Sequence, residues 1–284
     1  MSDPRIPEAA IRAAVEGLDE IEFLDRGSQG DAWRIRRDGG GDEVLKVIVQ
    51  GDSARVAKEI GTMKAVQSPF VMGFTEAGVL EHGGVGYPFI IGEYVPGRSI
   101  GWRVLEGDWP TESEALATGV GMLRGLAAIH EVEKVHRDVK PGNLAIRDDD
   151  WSKPVILDLG LVRDMLGDSL TAYPDLMGTV PYMSPEQLRK EKAVKRSDVF
   201  SAGVTLYLLL TEGKHPFIAE AETVAIEVLE ERIRDDDWPK WEEADGMGEG
   251  VREVIELLLR PDAFRRPRAD AAADALESVA GVGS

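Results

Sequence analysis

Hydrophobic spacing changes for good near Pro96-Gly97, and that change sets the architecture. Ile21-Glu22-Phe23-Leu24, Ala32-Trp33-Arg34-Ile35 and Val44-Leu45-Lys46-Val47-Ile48-Val49 read as strands, with Asp38-Gly39-Gly40-Gly41-Asp42 as the turn between the second and third. Two further strands, Phe74 to Leu80 and Tyr87 to Tyr94, flank the turn His82-Gly83-Gly84. One helix, from about Asp52 to Val66, interrupts them and ends before Ser68-Pro69. Beyond Pro96-Gly97 the pattern is helical, with helices expected over 111–130, 197–211, 220–234, 249–259 and 268–279. Strands first and helices after predict an α+β chain with a hinge near 94–97. Residues 5–19 also look helical, with Ile11, Val15 and Leu18 on one stripe. The expected division is therefore a helical extension over 1–20, a small five-stranded antiparallel lobe with one main helix over 21–95, and a larger, mostly helical lobe over 96–284. Residues 238–250, with Trp238 and Trp241, read as a long exposed loop without an assigned role.

At 284 residues the chain can build two lobes, and 43% apolar residues suffice for a packed interior. No run approaches the roughly 18 apolar residues of a membrane span, because Val199–Leu210 is broken by Ser201, Gly203 and Thr205. Cysteine is absent, which excludes disulfides, thiolate metal sites and cysteine nucleophiles and suits a reducing cytoplasm. The formal charge of −19 argues against nucleic acid as a partner. It fits either a solubilising surface or the steering of basic protein substrates.

One loop gathers the chemistry. In His136-Arg137-Asp138-Val139-Lys140-Pro141-Gly142-Asn143 a carboxylate, an ammonium and an amide lie within six residues of sequence, between a helix and a short apolar strand. Phosphoryl transfer needs this set: a group to orient the hydroxyl, a cation near the moving phosphoryl, and an oxygen ligand for magnesium. Asp158-Leu159-Gly160 follows the apolar Val155-Ile156-Leu157 and offers a second oxygen ligand on a turn.

These segments resemble the eukaryotic-like (Hanks-type) Ser/Thr protein kinases, and the style of the catalytic loop resembles bacterial members. The loop fits H-R-D-x-K-P-x-N at every specified position. Gly178-Thr179-Val180-Pro181-Tyr182-Met183-Ser184-Pro185-Glu186 is similar to the end of a kinase activation segment, with Ser184 in place of Ala. The resemblance runs over about 21–276 and implies a bilobal kinase fold using ATP and Mg2+. It makes Asp138 the acceptor of the substrate proton, Lys140 the stabiliser of the γ-phosphate, and Asn143 and Asp158 the metal ligands. Lys46, thirteen residues before Glu59, would hold the α- and β-phosphates with Glu59 as its partner; a solvated helix charge is the other reading of Glu59. The nucleotide would lie against Leu24, Gly27, Ser28, Gln29, Gly30, Ala32 and Val44, with Ala145 and Leu157 also walling it and the Glu93 carbonyl and Val95 amide on the adenine edge.

The glycine segment departs from the family pattern, since Asp25 stands where its first glycine is expected and Ala32 where valine is. Gly92, at the position of a usually larger side chain, has two readings: a roomy adenine pocket, or a close backbone approach. Asp198 either anchors the catalytic loop or caps a helix. Glu186 is expected to pair with Arg266. Arg137 would grip a phosphate on Ser169 or Thr171, through self-association and autophosphorylation, or simply make a surface pair. Thr179 is expected to bond Asp138 or Lys140. The substrate would be a Ser or Thr hydroxyl of a protein, the chain itself included. A nucleotide-binding pseudokinase scaffold and a small-molecule kinase are the rival functions.

Overall fold

The computed structural model describes residues 3–26, 30–49, 64–157, 179–219, 222–235 and 247–281. They fall into two compact units: residues up to 67 with 72–94, and residues 68–71 with those from 95 onward.

The first unit is a five-stranded antiparallel sheet in the order β1-β2-β3-β5-β4, built from β1 (Leu18–Arg26), β2 (Gly30–Arg37), β3 (Asp42–Ile48), β4 (Phe74–His82) and β5 (Val85–Glu93). Side chains alternate across a strand, so Trp33, Ile35, Leu45, Val47, Phe89 and Ile91 bury one face. A short helix, α1 (Glu8–Ala14), contributes Ile11 to that same core, joined by its C-terminal cap Val15 and by Ile6. The three residues of the expected stripe do pack on this core, but only Ile11 is helical, because the helix is shorter than 5–19. Gly17, at φ 67°, turns the chain, and Leu18 already belongs to β1, opposite Arg37. The strands also run longer than their apolar centres, because Asp19, Glu20 and Glu22 on the edge strand β1 leave no hydrophobic signal. The helix expected over 52–66 falls largely on residues 50–63, outside the described residues.

The second unit is mostly helical: α2 (Ile100–Leu105), α3 (Glu112–Glu131), α4 (Pro185–Leu188), α5 (Lys195–Leu210), α6 (Ile226–Arg234), α7 (Glu249–Leu258) and α8 (Ala269–Ala280). Thr111 opens α3 with a capping box completed by Glu114, which removes two orphan donors. The apolar helix α5 is buried nearly all round and is the axis of the unit, as its sequence predicts. The helix expected over 220–234 begins only at Ile226. Between α3 and α4 lies a two-stranded hairpin, β6 (Leu144–Ile146) with β7 (Pro154–Ile156). The Ile156 amide donates to the Phe70 carbonyl at 2.9 Å, and Gly125 lets α3 approach that carbonyl, where a Cβ would stand 2.8 Å away. No helix among the described residues is long and apolar enough to cross a membrane.

Candidate active site

The loop between α3 and β6 is held by its backbone first. Asp198, near the start of α5, accepts from the His136 amide at 2.8 Å through Oδ2 and from the Arg137 amide at 2.7 Å through Oδ1. His130 Nε2 lies 2.8 Å from the same Oδ2. Of the two readings of Asp198, anchor and helix cap, the anchor is correct. Ser197 takes the capping role instead, its Oγ accepting from the Val194 amide at 2.9 Å. Arg137 sits at φ 70°, a left-handed conformation that costs a non-glycine residue energy. The carboxylate on its N–H and the Gln187 amide on its carbonyl, at 2.9 Å, hold it there. His136 is fully buried and accepts from the Asp138 amide at 3.2 Å through Nδ1.

The side chains then converge. Lys140 Nζ lies 3.2 Å from Asp138 Oδ2, and Asn143 Nδ2 donates to the same oxygen at 3.0 Å and to the Asp138 carbonyl at 2.7 Å. A single 3₁₀ turn over Pro141–Asn143 returns the amide to the carboxylate. Lys140 Nζ also donates to Thr179 Oγ1 at 2.8 Å, the bond expected of that threonine. Acid, ammonium, amide and hydroxyl thus share one constellation, in which the ammonium balances the carboxylate and fixes its orientation.

The segment after Thr179 is pinned at several points. His215 Nε2 lies 2.8 Å from the Pro181 carbonyl, and Ser201 Oγ donates to the Tyr182 carbonyl at 2.6 Å. Glu186 meets Arg266 in a bidentate pair, Nη1 to Oε1 at 2.8 Å and Nη2 to Oε2 at 3.0 Å. Arg266 is 1% exposed and also donates to the carbonyls of Arg260, Arg196 and Pro261, so all three of its nitrogens are engaged. Burial pushes the Glu186 carboxyl up, but Arg266 and the Ser197 hydroxyl outweigh it and hold the group below the usual range.

In the first unit, Ala32 stands opposite Lys46 across β2 and β3, Lys46 opposite Ile90, and Val44 opposite Gly92. Because Trp33, Leu45 and Val47 face the core, alternation puts Ala32, Val44 and Lys46 together on the other face of the sheet. Leu24 is 38% exposed. Gly30 has a structural reason to be glycine, since a Cβ there would lie 1.8 Å from the Val47 carbonyl oxygen. At Gly92 the close-approach reading has a direct cause: a Cβ would stand 2.6 Å from the Gly73 carbonyl oxygen and 3.1 Å from Met72 Cε. In the second unit Ala145 is buried in β6, Val95 is buried, and the Leu157 amide donates to the Asn143 carbonyl at 3.0 Å. Gly27, Ser28, Gln29, Glu59, Asp158, Ser169 and Thr171 lie outside the described residues, as does the Asp-Leu-Gly turn.

Sequence reasoning missed His130, Gln187, Ser201 and His215 as supports. For Gln187 a signal existed, because Ser184-Pro185-Glu186-Gln187 carries capping-box spacing, and its Oε1 indeed accepts from the Ser184 amide at 3.1 Å. His130, Ser201 and His215 each support the site through a long-range bond, to Asp198, Tyr182 and Pro181, that leaves no local pattern.

The fold and this constellation together define the class: the chain belongs to the protein kinase domain family, which matches residues 19–276. Among similar curated proteins is the serine/threonine-protein kinase PknL of Mycobacterium tuberculosis, 38% identical over 191 residues, which cover 67% of this chain and 45% of that protein. PknB of Mycobacterium leprae, also named a serine/threonine-protein kinase, is 29% identical over 231 residues, covering 80% of this chain and 36% of that protein. The chain therefore spans less than half the length of these relatives. The crystal structure of Rad53 1-466 in complex with AMP-PNP shares the fold, with a TM-score of 0.70 and 23% identity over 90% of this chain and 64% of that one.

Proposed function

We propose that this domain transfers the γ-phosphoryl group of ATP, with Mg2+, to Ser or Thr hydroxyls of proteins, itself included. One observation carries the reading: Asp138, Lys140, Asn143 and Thr179 form a single bonded set, with Lys140 within 3.2 Å of the acid and 2.8 Å of the threonine. Asp138 accepts the proton of the incoming hydroxyl, and Lys140 offers a point charge to the moving phosphoryl. ATP would supply the phosphoryl group, and Mg2+, held by Asn143 and Asp158, would neutralise the phosphate charge. The donor chemistry fits a hard cation: the Asn143 nitrogen is bonded to Asp138, so its amide oxygen is the group to meet the metal, with Asp158 as the second ligand. Lys46 binds the α- and β-phosphates with Glu59 as partner, and the sheet face bearing Ala32 and Val44 takes the adenine.

Thr179 begins the pinned segment, and its bond to Lys140 couples that segment to the catalytic loop. Such coupling favours a protein substrate over a small molecule. The names of the relatives support the Ser/Thr class, and nothing in the loop geometry favours the pseudokinase scaffold. Arg137 receives a phosphate on Ser169 or Thr171 once self-association has allowed autophosphorylation. Since ATP and Mg2+ are abundant there, the domain works in the cytoplasm.

Autophosphorylation with labelled ATP and Mg2+ tests the reading. Asp138→Asn is expected to lower incorporation by at least about 100-fold, the scale of a lost general base. Equal incorporation in both proteins would refute the assignment. Mass spectrometry of the wild type should place phosphate on Ser169 or Thr171.

A further inference from the structure

Asp31 directly follows Gly30 and is 1% exposed, with its side chain on the core face of β2 beside Trp33. A buried carboxylate is costly unless charge-assisted bonds satisfy it, and here they come from a segment far away in sequence. Asp31 Oδ2 accepts from the backbone amides of Arg5, at 2.6 Å, and Ile6, at 2.9 Å. Arg5 Nε stands 3.3 Å from Asp31 Oδ1, and Arg5 Nη2 donates to the Gly30 carbonyl at 3.4 Å. On the other strand of the same hairpin, Arg26 Nη1 donates to the Asp3 carbonyl at 3.3 Å. Ile6, 2% exposed, locks this stretch into the core under the sheet. Residues 3–6 thus bind the last residue of β1 and the first two of β2, the stems that flank Gly27–Gln29. Gly30 is fixed from β3 as well, by its approach to the Val47 carbonyl.

We propose that Asp31 is a positioning residue for ATP: by binding the Arg5–Ile6 backbone and pairing with the Arg5 guanidinium it ties the β1 and β2 stems to the α1 core and fixes those stems before nucleotide arrives. This rests on the kinase reading above. The physical basis is preorganisation, since strand stems fixed in advance do not have to be fixed by the ligand. Asp31 touches no substrate in this scheme. Its effect reaches nucleotide affinity through Gly30 and the strand stems, and a protein substrate does not sense it.

The test measures KM for ATP, KM for a peptide substrate, kcat, and the affinity for AMP-PNP with Mg2+, in wild type, Asp31→Ala, Asp31→Asn, Arg5→Ala and the Asp31→Ala/Arg5→Ala double variant. Asp31→Ala should raise both KM for ATP and the AMP-PNP dissociation constant about tenfold, with KM for peptide changed less than about twofold. Asp31→Asn keeps an oxygen for the two amides but loses the ion pair, and should fall between wild type and Asp31→Ala. The double variant should be worse than Asp31→Ala by less than the product of the single effects, because both substitutions break the Arg5–Asp31 ion pair while Arg5→Ala also removes the bond to the Gly30 carbonyl. A fall in kcat with unchanged KM for ATP would mean a merely structural role and overturn the proposal, as would fully multiplicative effects of the two substitutions. Should Asp31→Ala not fold, Asp31→Asn and Arg5→Ala decide together: wild-type affinity for AMP-PNP in both overturns the proposal, and a severalfold loss in either supports it. A wild type that transfers phosphate normally while Asp31→Ala matches its KM for ATP sinks the clamp alone. A wild type that neither binds AMP-PNP nor transfers phosphate sinks the kinase reading, and the clamp with it.

Discussion

His215 commits both ring nitrogens in one protonation state. Nδ1 accepts from the Phe217 amide at 3.1 Å, so the neutral ring carries its proton on Nε2, which donates to the Pro181 carbonyl at 2.8 Å. A second proton would set N–H against N–H inside a buried site flanked by Tyr182 and Phe217. Burial accordingly drives the pKa down from 6.5 to about 4, only partly opposed by the Pro181 carbonyl. The sign follows from proton uptake: below pH 6.5 the unfolded chain binds a proton that the folded chain refuses, so stability falls from there down to about pH 4. At 1.36 kcal/mol per pKa unit, the full loss from this one ring is roughly 3 kcal/mol, with most of it spent by pH 5. Urea unfolding at pH 7.5 and pH 5 should show this loss in the wild type. His215→Gln, whose amide can still donate to Pro181 but does not titrate, should flatten the slope. An unchanged slope in that variant would assign the acid sensitivity elsewhere. Glu186 acts lower on the scale: its depressed pKa contributes stability that persists above the usual carboxylate range and is lost as pH falls through the folded value.

At the level of elements, strands and helices were legible where alternation or helical stripes had a clean apolar core, as in β2, β3 and α5. They were illegible where pairing or packing rather than composition set the limits. The acidic edge of β1 is strand because β2 pairs with it, and α1 ends at Ala14, three residues before the turn at Gly17, because Leu18 has a strand partner. The chemistry of the catalytic loop was legible because its groups lie within eight residues. The anchors from Asp198 and Gln187 are long-range, and only the resemblance pointed to the first. Gly92 shows the same limit from the other side, since its sequence allowed an enlarged pocket or a crowded backbone equally. In the fold, Glu93 N–H donates to the Gly73 carbonyl at 2.7 Å, and the register between β4 and β5 shifts between Phe74 and Glu76, which draws Gly73 over Gly92. Gly92→Ala should therefore destabilise the domain by about 1–3 kcal/mol, the usual cost of overpacking against an atom that cannot move aside. Thermal unfolding measures it. An alanine variant as stable as wild type would return the position to the pocket explanation.

Across the whole molecule the dominant quantity is charge. With 52 acidic and 33 basic side chains, 19 carboxylates have no Lys or Arg to match them one to one. Pairs do form, as where Arg36 meets Glu20 and Asp42 and Arg37 meets Glu43 and Glu76. Pairs that sit in solvent contribute little and are themselves weakened by salt. Repulsion among the excess carboxylates acts over longer distances, and screening removes it more effectively, because the Debye length falls from about 30 Å at 0.01 M to about 8 Å at 0.15 M. The two salt effects oppose each other, and the excess of one sign decides which prevails. The thermal midpoint should thus rise as KCl goes from 0.01 M to 0.5 M, by about 2–4 °C for each kcal/mol of repulsion relieved. A midpoint that falls would mean that the arginine ladder on the sheet outweighs the net charge. In that case the acidity would need an explanation in what the surface binds rather than in what keeps it apart.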